Sequence, residues 1–317
     1  MSWLVLPKLL AMFIVVGIGW WAGRKRWLGE GDTARVLGNA AFMVFVPALL
    51  FRTAARLDLA ALPWRTLAAF FVPALLTMLA VYLVFRWRDH AAQPARASVR
   101  AITASYGNAV QVGIPLAAAL FGESGLGLHL TLVSLHGLVM LTVLTALVEH
   151  DVARSSTTGS SAATWHTMLR NMVTHPVVLP LVLGLLFNAA GLVLPELIDQ
   201  LLQVLGSAVV PVCLLLIGLS LESYGLKGPV PAAVQLSLVK LVVMPALVLA
   251  VAHWVFGLVG APLSVVVLMA ALPVGSNALI FAQRYRADEA EATAAIVVST
   301  LAFAFTAPLW LAALARF

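Results

Sequence analysis

The sequence predicts an all-α integral membrane protein. It reads as ten transmembrane helices in two inverted five-helix repeats, with discontinuous, crossing fourth and ninth helices. Three observations carry that expectation. The 317-residue chain is 62% hydrophobic and only 10% charged, with mean hydropathy +1.02, more apolar surface than a water-soluble globule of this size can hide. Its apolar residues fall into runs of roughly 20, the length that crosses a hydrocarbon core. Finally, stretches from the first half recur in the same order in the second.

The runs place spans at about 3–22, 34–53, 63–86, 98–120, 126–148, 170–190, 200–220, 229–256, 263–283 and 291–315. They are helices rather than barrel strands because they are long and continuously apolar, without a ten-residue alternation of apolar and polar positions. The first run is too long for a signal-peptide core and lacks a small-residue cleavage site, so it reads as a retained span. With the loop after this span on the cytoplasmic side, 13 of the 19 Lys and Arg residues fall on that side and five on the other, while Lys240 lies within a span. This asymmetry predicts a cytoplasmic-membrane protein with both termini outside. It also explains a pI near 10.0 without nucleic acid, because the basic residues sit in short clusters between apolar runs. Trp20, Trp21, Trp64 and Trp87, near span ends, read as interface anchors.

Between the fifth and sixth spans, "ARSSTTGSSAATWH" (153–166) is polar and Ser/Thr-rich, as a flexible linker is. The expected organisation is a first repeat over 1–150, a cytoplasmic linker over 151–169 and a second repeat over 170–317. "VLPKLLAMFIVVGIGW" from Val5 parallels "VLPLVLGLLFNAAGLV" from Val178, and "VPALLFRTAARL" from Val46 parallels "VPVCLLLIGLSL" from Val210. The remaining three pairs of spans show similar parallels in the same order, which points to duplication. Five spans per half make the repeat inverted, an architecture of secondary transporters that place substrate between discontinuous helices.

The chemistry is expected at two breaks. In "YGNAVQVGIPL" (106–116), Gly107 and Gly113 permit unwinding and Pro115 withholds a backbone donor, which predicts a break near Val112 and a restart at Pro115. Its duplicate "LPVGSNALIF" carries Pro273, Gly275, Ser276 and Asn277. Half-helices restarting in opposite directions present backbone N–H groups to an anion. Asn277 suits an N-cap, and Asn108 and Gln111 offer amide donors. The substrate-binding candidates are therefore Asn108, Gln111, Gly113, Pro115, Gly275, Ser276, Asn277 and Lys240. The competing reading is a proline kink whose polar side chains bond neighbouring helices.

Lys240, in mid-span, is expensive to bury; its expected role is attraction of an anion or a proton-linked switch. His129 and His136, seven residues apart on one helical face, read as hydrogen-bonded packing residues. Glu222 reads as a gate or a partner of Lys227, and Cys213 as a small apolar packing residue. No HExxH, G-x-S-x-G, P-loop, paired acidic motif or Cys-based metal pattern occurs, so neither an enzyme, an ATP-driven pump, a cofactor nor a metal is expected.

"GNAVQVGIPLAAALFGE" (107–123), "KLVVMPALVLA" (240–250) and the stretch from Ala271 to Leu314 beginning "ALPVGSNALIFAQRYRADE" resemble the auxin efflux carrier family, which includes plant auxin carriers and bacterial organic-anion permeases. The resemblance covers the whole chain. It implies ten helices in two inverted repeats and a carboxylate-bearing substrate where the fourth and ninth helices cross. The family's Asn and Pro at the fourth-helix break match Asn108 and Pro115. In the ninth helix this chain has Ala278 where plant carriers place a proline, leaving Asn277 to end the break by capping. The short linker also lacks the long cytoplasmic loop of many plant members.

The function expected is a secondary transporter for a small organic anion, a carboxylate, with alternating access by an elevator or rocking motion. Its expected partners are that anion and the lipid bilayer, with a homodimer as the assembly considered, and no nucleic acid. The alternatives are a sodium-coupled symporter of the bile-acid type and a ligand receptor that does not transport.

Overall fold

The computed structural model describes residues 2–29, 33–56, 63–88, 94–155, 178–224 and 229–317. Every secondary-structure element among them is helical: α1 (Ser2–Arg24), α2 (Thr33–Ala55), α3 (Trp64–Arg88), α4 (Arg96–Ser105), α5 (Ile114–Ser155), α6 (Val178–Ala189), α7 (Glu196–Ser207), α8 (Val209–Tyr224), α9 (Val230–Val255), α10 (Gly260–Ala271), α11 (Asn277–Tyr285) and α12 (Glu289–Leu314). By length and composition, six helices among the described residues are long and apolar enough to cross a membrane. Most of the linker lies outside the described residues; its first positions, 151–155, continue α5.

The helices start and stop where local chemistry directs. Glu196 and Asp199 occupy the first turn of α7, Glu289 and Glu291 that of α12, while Arg24, Arg86 and Arg88 lie in the last turns of α1 and α3. Each sign opposes the partial charge of its helix end. Gly122 interrupts α5 with φ 64° and ψ −158°, a conformation open to glycine, and so separates the end of the fourth predicted span from the fifth. Three π-turns, Ala41–Phe45, Ala109–Gly113 and Val239–Val243, each end two residues before a proline: Pro47, Pro115 and Pro245. A proline ring collides with the carbonyl four residues back, and a turn widened by one residue removes the collision.

Packing sorts the helices into two groups. In the first, α1 lies along α8, and α2 packs on α6, α7 and α8. Gly19 and Gly218 bring α1 and α8 together so closely that a Cβ on either would fall on the other helix's backbone, the small-residue contact that membrane helices favour. The second group contains α3, α4, α5 and α9–α12, with α3 against α4, α9 against α10 and α12, and α10 against α5.

The described ion pairs tie elements within a group. Arg52 and Arg56 hold Asp199 at 2.9 and 2.6 Å in the first group. In the second, Arg96 reaches Asp288 at 3.1 Å, Arg100 reaches Glu291 at 2.8 Å and Arg86 pairs with Asp151. Contacts between the groups run mainly through α5 and the π-turn before it, which rests on α8. The outside is apolar, as lipid requires: Leu10, Ile14 and Ile18 form an exposed stripe on α1, and Trp27, Trp64, Trp87 and Trp254 stand exposed near helix ends.

Candidate functional site

Two helix breaks meet inside the second group. The first follows α4. Tyr106 turns to extended backbone (φ −86°, ψ 112°), and Asn108 opens the π-turn as its N-cap. The Asn108 Oδ1 accepts from the Gln111 N–H at 3.1 Å, and its Nδ2 donates to Gln111 Oε1 at 3.0 Å. The second break follows α10: Leu272 leaves the helix with ψ 148°, and the chain resumes as α11 at Asn277. Pro273 has no N–H to give, and the Val274 N–H donates to the buried Ser299 hydroxyl at 3.0 Å.

The breaks run antiparallel and satisfy one another. Asn108 N–H donates to the Pro273 carbonyl at 2.8 Å and Gly275 N–H to the Tyr106 carbonyl at 2.9 Å, on either side of a bridge between Gly107 and Val274. Backbone removed from a helix and from water must find such partners. Close approach requires Gly275, since a Cβ there would stand 2.9 Å from the Gly107 carbonyl oxygen and 3.1 Å from Tyr106 Cδ1. Among the described residues, the Val110, Ser276 and Asn277 N–H groups at the two restarts are not taken by a backbone carbonyl. Asn108, Val110, Ser276 and Asn277 are all half-buried.

Side chains from neighbouring helices brace the crossing. The Tyr106 ring lies over His136 with ring centroids 4.2 Å apart, and its hydroxyl has the Asn277 side chain as a hydrogen-bonding neighbour. His129 Nε2 donates to the Ala109 carbonyl at 2.9 Å. Lys240, on the π-turn of α9, is fully buried, and its Nζ donates to the Ala270 carbonyl at the end of α10. A Cβ on Gly107 would be 3.4 Å from that Nζ.

The candidates read from the sequence divide accordingly. Asn108, Gly275, Ser276 and Asn277 are at the crossing, Gln111 is spent on Asn108, and Lys240 lies behind the crossing, sealed from solvent. Gly113 faces elsewhere: a Cβ there would meet His129 Nε2 at 2.5 Å and Leu272 Cδ1 at 2.8 Å. Pro115 is buried within α5.

The expected break near Val112 with a restart at Pro115 is corrected to a break over 106–108 with a restart at Ala109. Asn108 caps the restart, and the π-turn accommodates Pro115 without ending the helix. Tyr106 and Ser299 were not singled out from the sequence. Tyr106 had a signal, its place directly before Gly107 and Asn108; Ser299 had none within its apolar run.

An apolar cavity of about 410 Å³ lies elsewhere, between α2, α3, α5 and α6, with Leu50, Leu67, Leu130 and Leu186 in its wall. Thr131 and Ser134, also in its wall, spend their hydroxyls on the Gly127 and Leu130 carbonyls at 2.9 and 2.6 Å. Its chemistry does not suit an anion.

Helices long enough to cross a membrane, with two interrupted helices crossing in their midst, define a multi-pass membrane protein of transporter type. The chain belongs to the family described as membrane transport protein, the auxin-efflux-like transporters, whose model matches residues 4–311. It is 25% identical over 305 residues to an uncharacterized transporter of Methanothermobacter thermautotrophicus, covering 95% of each chain. It is 24% identical over 317 residues to the uncharacterized transporter YfdV of Escherichia coli K12, covering 96% of this chain and 95% of the relative.

Proposed function

We propose that this transporter carries a small organic anion, a carboxylate, across the cytoplasmic membrane, binding it where the two broken helices cross. The observation that carries the reading is the reciprocal pair of backbone hydrogen bonds between the breaks. They hold two half-helix N-termini together, and their uncommitted N–H groups and the Asn277 amide supply donors of the kind that bind anions. Asn108 reaches an anion by exchanging its bond to Gln111.

In this reading ten spans form two inverted repeats, 1–150 and 170–317, joined by a cytoplasmic linker over 151–169, with both termini outside. The group containing the crossing moves against α1, α2 and α6–α8. The division of ion pairs between the groups supports that motion, because charged contacts hold each group together and the described pairs need not break when one slides past the other.

The test is calorimetric titration of detergent-purified protein with monocarboxylates, dicarboxylates, aromatic acids and neutral analogues. A hydrogen bond to a charged ligand contributes about 1.5–3 kcal/mol, so Asn108→Ala and Asn277→Ala each weaken binding about tenfold to a hundredfold. A ligand whose affinity neither substitution changes would place its site elsewhere. Binding without flux into proteoliposomes would make the protein a receptor.

A further inference from the structure

We propose that Lys240 is a built-in cation: its ammonium holds the place, between the C-terminal ends of α4 and α10, that a free monovalent metal ion would otherwise fill. This rests on the reading of the crossing as an anion site. It adds that the chain binds its anion without sodium, and that removing the side chain creates a site for a small cation.

Four half-helix ends meet at the crossing. The N-terminal ends of the π-turn and α11 carry partial positive charge, and the C-terminal ends of α4 and α10 carry partial negative charge. Discontinuous membrane helices use the first kind of end for anions and the second, with unwound carbonyls, for monovalent cations. Lys240 Nζ is at the second kind. It donates to the Ala270 carbonyl, the next-to-last residue of α10, and packs against Gly107, two residues beyond the end of α4. The Gly107 Cα side faces this ammonium, a Cβ there standing 3.4 Å from Nζ and from Cε, so the ammonium lies against the bridge between the breaks.

Local structure aims the side chain inward. Lys240 lies on the Val239–Val243 π-turn, whose extra residue shifts the helix's facing by one position just before Pro245. The side chain is fully buried, and a charge there persists only where neighbouring groups compensate it. No described carboxylate pairs with it. Asp151, Asp199, Asp288 and Glu291 are engaged by arginines, which leaves carbonyls and helix ends as the compensating groups. Among the described residues, no group of three or more His, Cys, Asp and Glu side chains is placed to hold a metal ion, so the cation-binding chemistry at the crossing is backbone chemistry, which Lys240 already occupies.

The experiment compares thermal unfolding of purified wild type, Lys240→Ala and Lys240→Met in sodium, potassium, methylammonium and choline chloride at matched ionic strength. Wild type melts at the same temperature in all four. Lys240→Ala melts lower in choline and gains a saturable rise with sodium or methylammonium, on the order of 4 °C at a hundredfold excess over the dissociation constant. Lys240→Met, which keeps the space filled, shows no cation response.

If Lys240→Ala is not recovered folded in choline, it is purified in methylammonium; recovery there alone is itself the expected rescue. Failure to recover it in any of the four salts would overturn the proposal, as would indifference of a folded Lys240→Ala to all cations. A sodium-dependent rise in wild type would overturn it too. Anion titration of wild type is a separate measurement. Loss of the anion site with the cation response intact sinks the function proposed above and spares Lys240, and the reverse result does the opposite.

Discussion

Gly275→Ala puts a methyl group into the point where the two breaks touch. The new Cβ would stand 2.9 Å from the Gly107 carbonyl oxygen, 3.1 Å from its carbon and 3.1 Å from Tyr106 Cδ1. Two of these three atoms are backbone, so a side-chain rotation alone cannot relieve the contact. Separating the breaks lengthens the bonds from Asn108 N–H to the Pro273 carbonyl and from Gly275 N–H to the Tyr106 carbonyl, now 2.8 and 2.9 Å. Overpacking costs about 1–3 kcal/mol, and each weakened hydrogen bond up to about 0.5–1.5 kcal/mol. Together they predict a loss of roughly 2–6 kcal/mol and a fall in apparent melting temperature on the order of 3–9 °C.

The assay is thermal unfolding in detergent, followed by intrinsic fluorescence, with Gly17→Ala as the control. Gly17 is exposed on α1, and a Cβ there meets nothing within 4 Å, so that substitution leaves stability unchanged or raises it by about 0.5–1 kcal/mol. If Gly275→Ala melts together with Gly17→Ala and retains anion affinity, the breaks do not touch as the reciprocal bonds require.

Arg100 donates to both oxygens of Glu291, at 2.8 and 3.0 Å, in a largely buried pair. Arg100→Gln or Glu291→Gln therefore costs about 3–5 kcal/mol, and the double substitution costs less than their sum; strict additivity in a double-mutant cycle would show the pair uncoupled. For topology, Ser160→Cys in the linker is shielded from an impermeant thiol reagent on intact cells and labelled after permeabilisation. The native Cys213 is fully buried and contributes no background, so labelling of the variant in intact cells would reverse the proposed orientation.

Much of this protein is written locally. Apolar run length determines which segments become long helices, because lipid-facing backbone must bond within its own segment, and the described part of each predicted span is mostly helical, with breaks at 106–108 and 272–276. Composition likewise announced both interruptions, since glycine, proline and asparagine clustered inside otherwise apolar runs weaken the helix wherever it is placed. The position of the first break was not local. Pro115 looked like the restart, yet a π-turn absorbs it, and the helix opens at 106–108 because the second break supplies the Pro273 carbonyl for Asn108 and takes up the Tyr106 carbonyl through Gly275. Lys240 could be recognised from sequence as a costly charge, but its partner is a carbonyl 30 residues away. The roles of Tyr106, His129 and His136 depend in the same way on helices brought alongside. Sequence alone determined where the chain becomes helical, where it is weak and which two weak points pair; only the tertiary structure decided at which residues they meet, because their unpaired backbone groups are satisfied by each other.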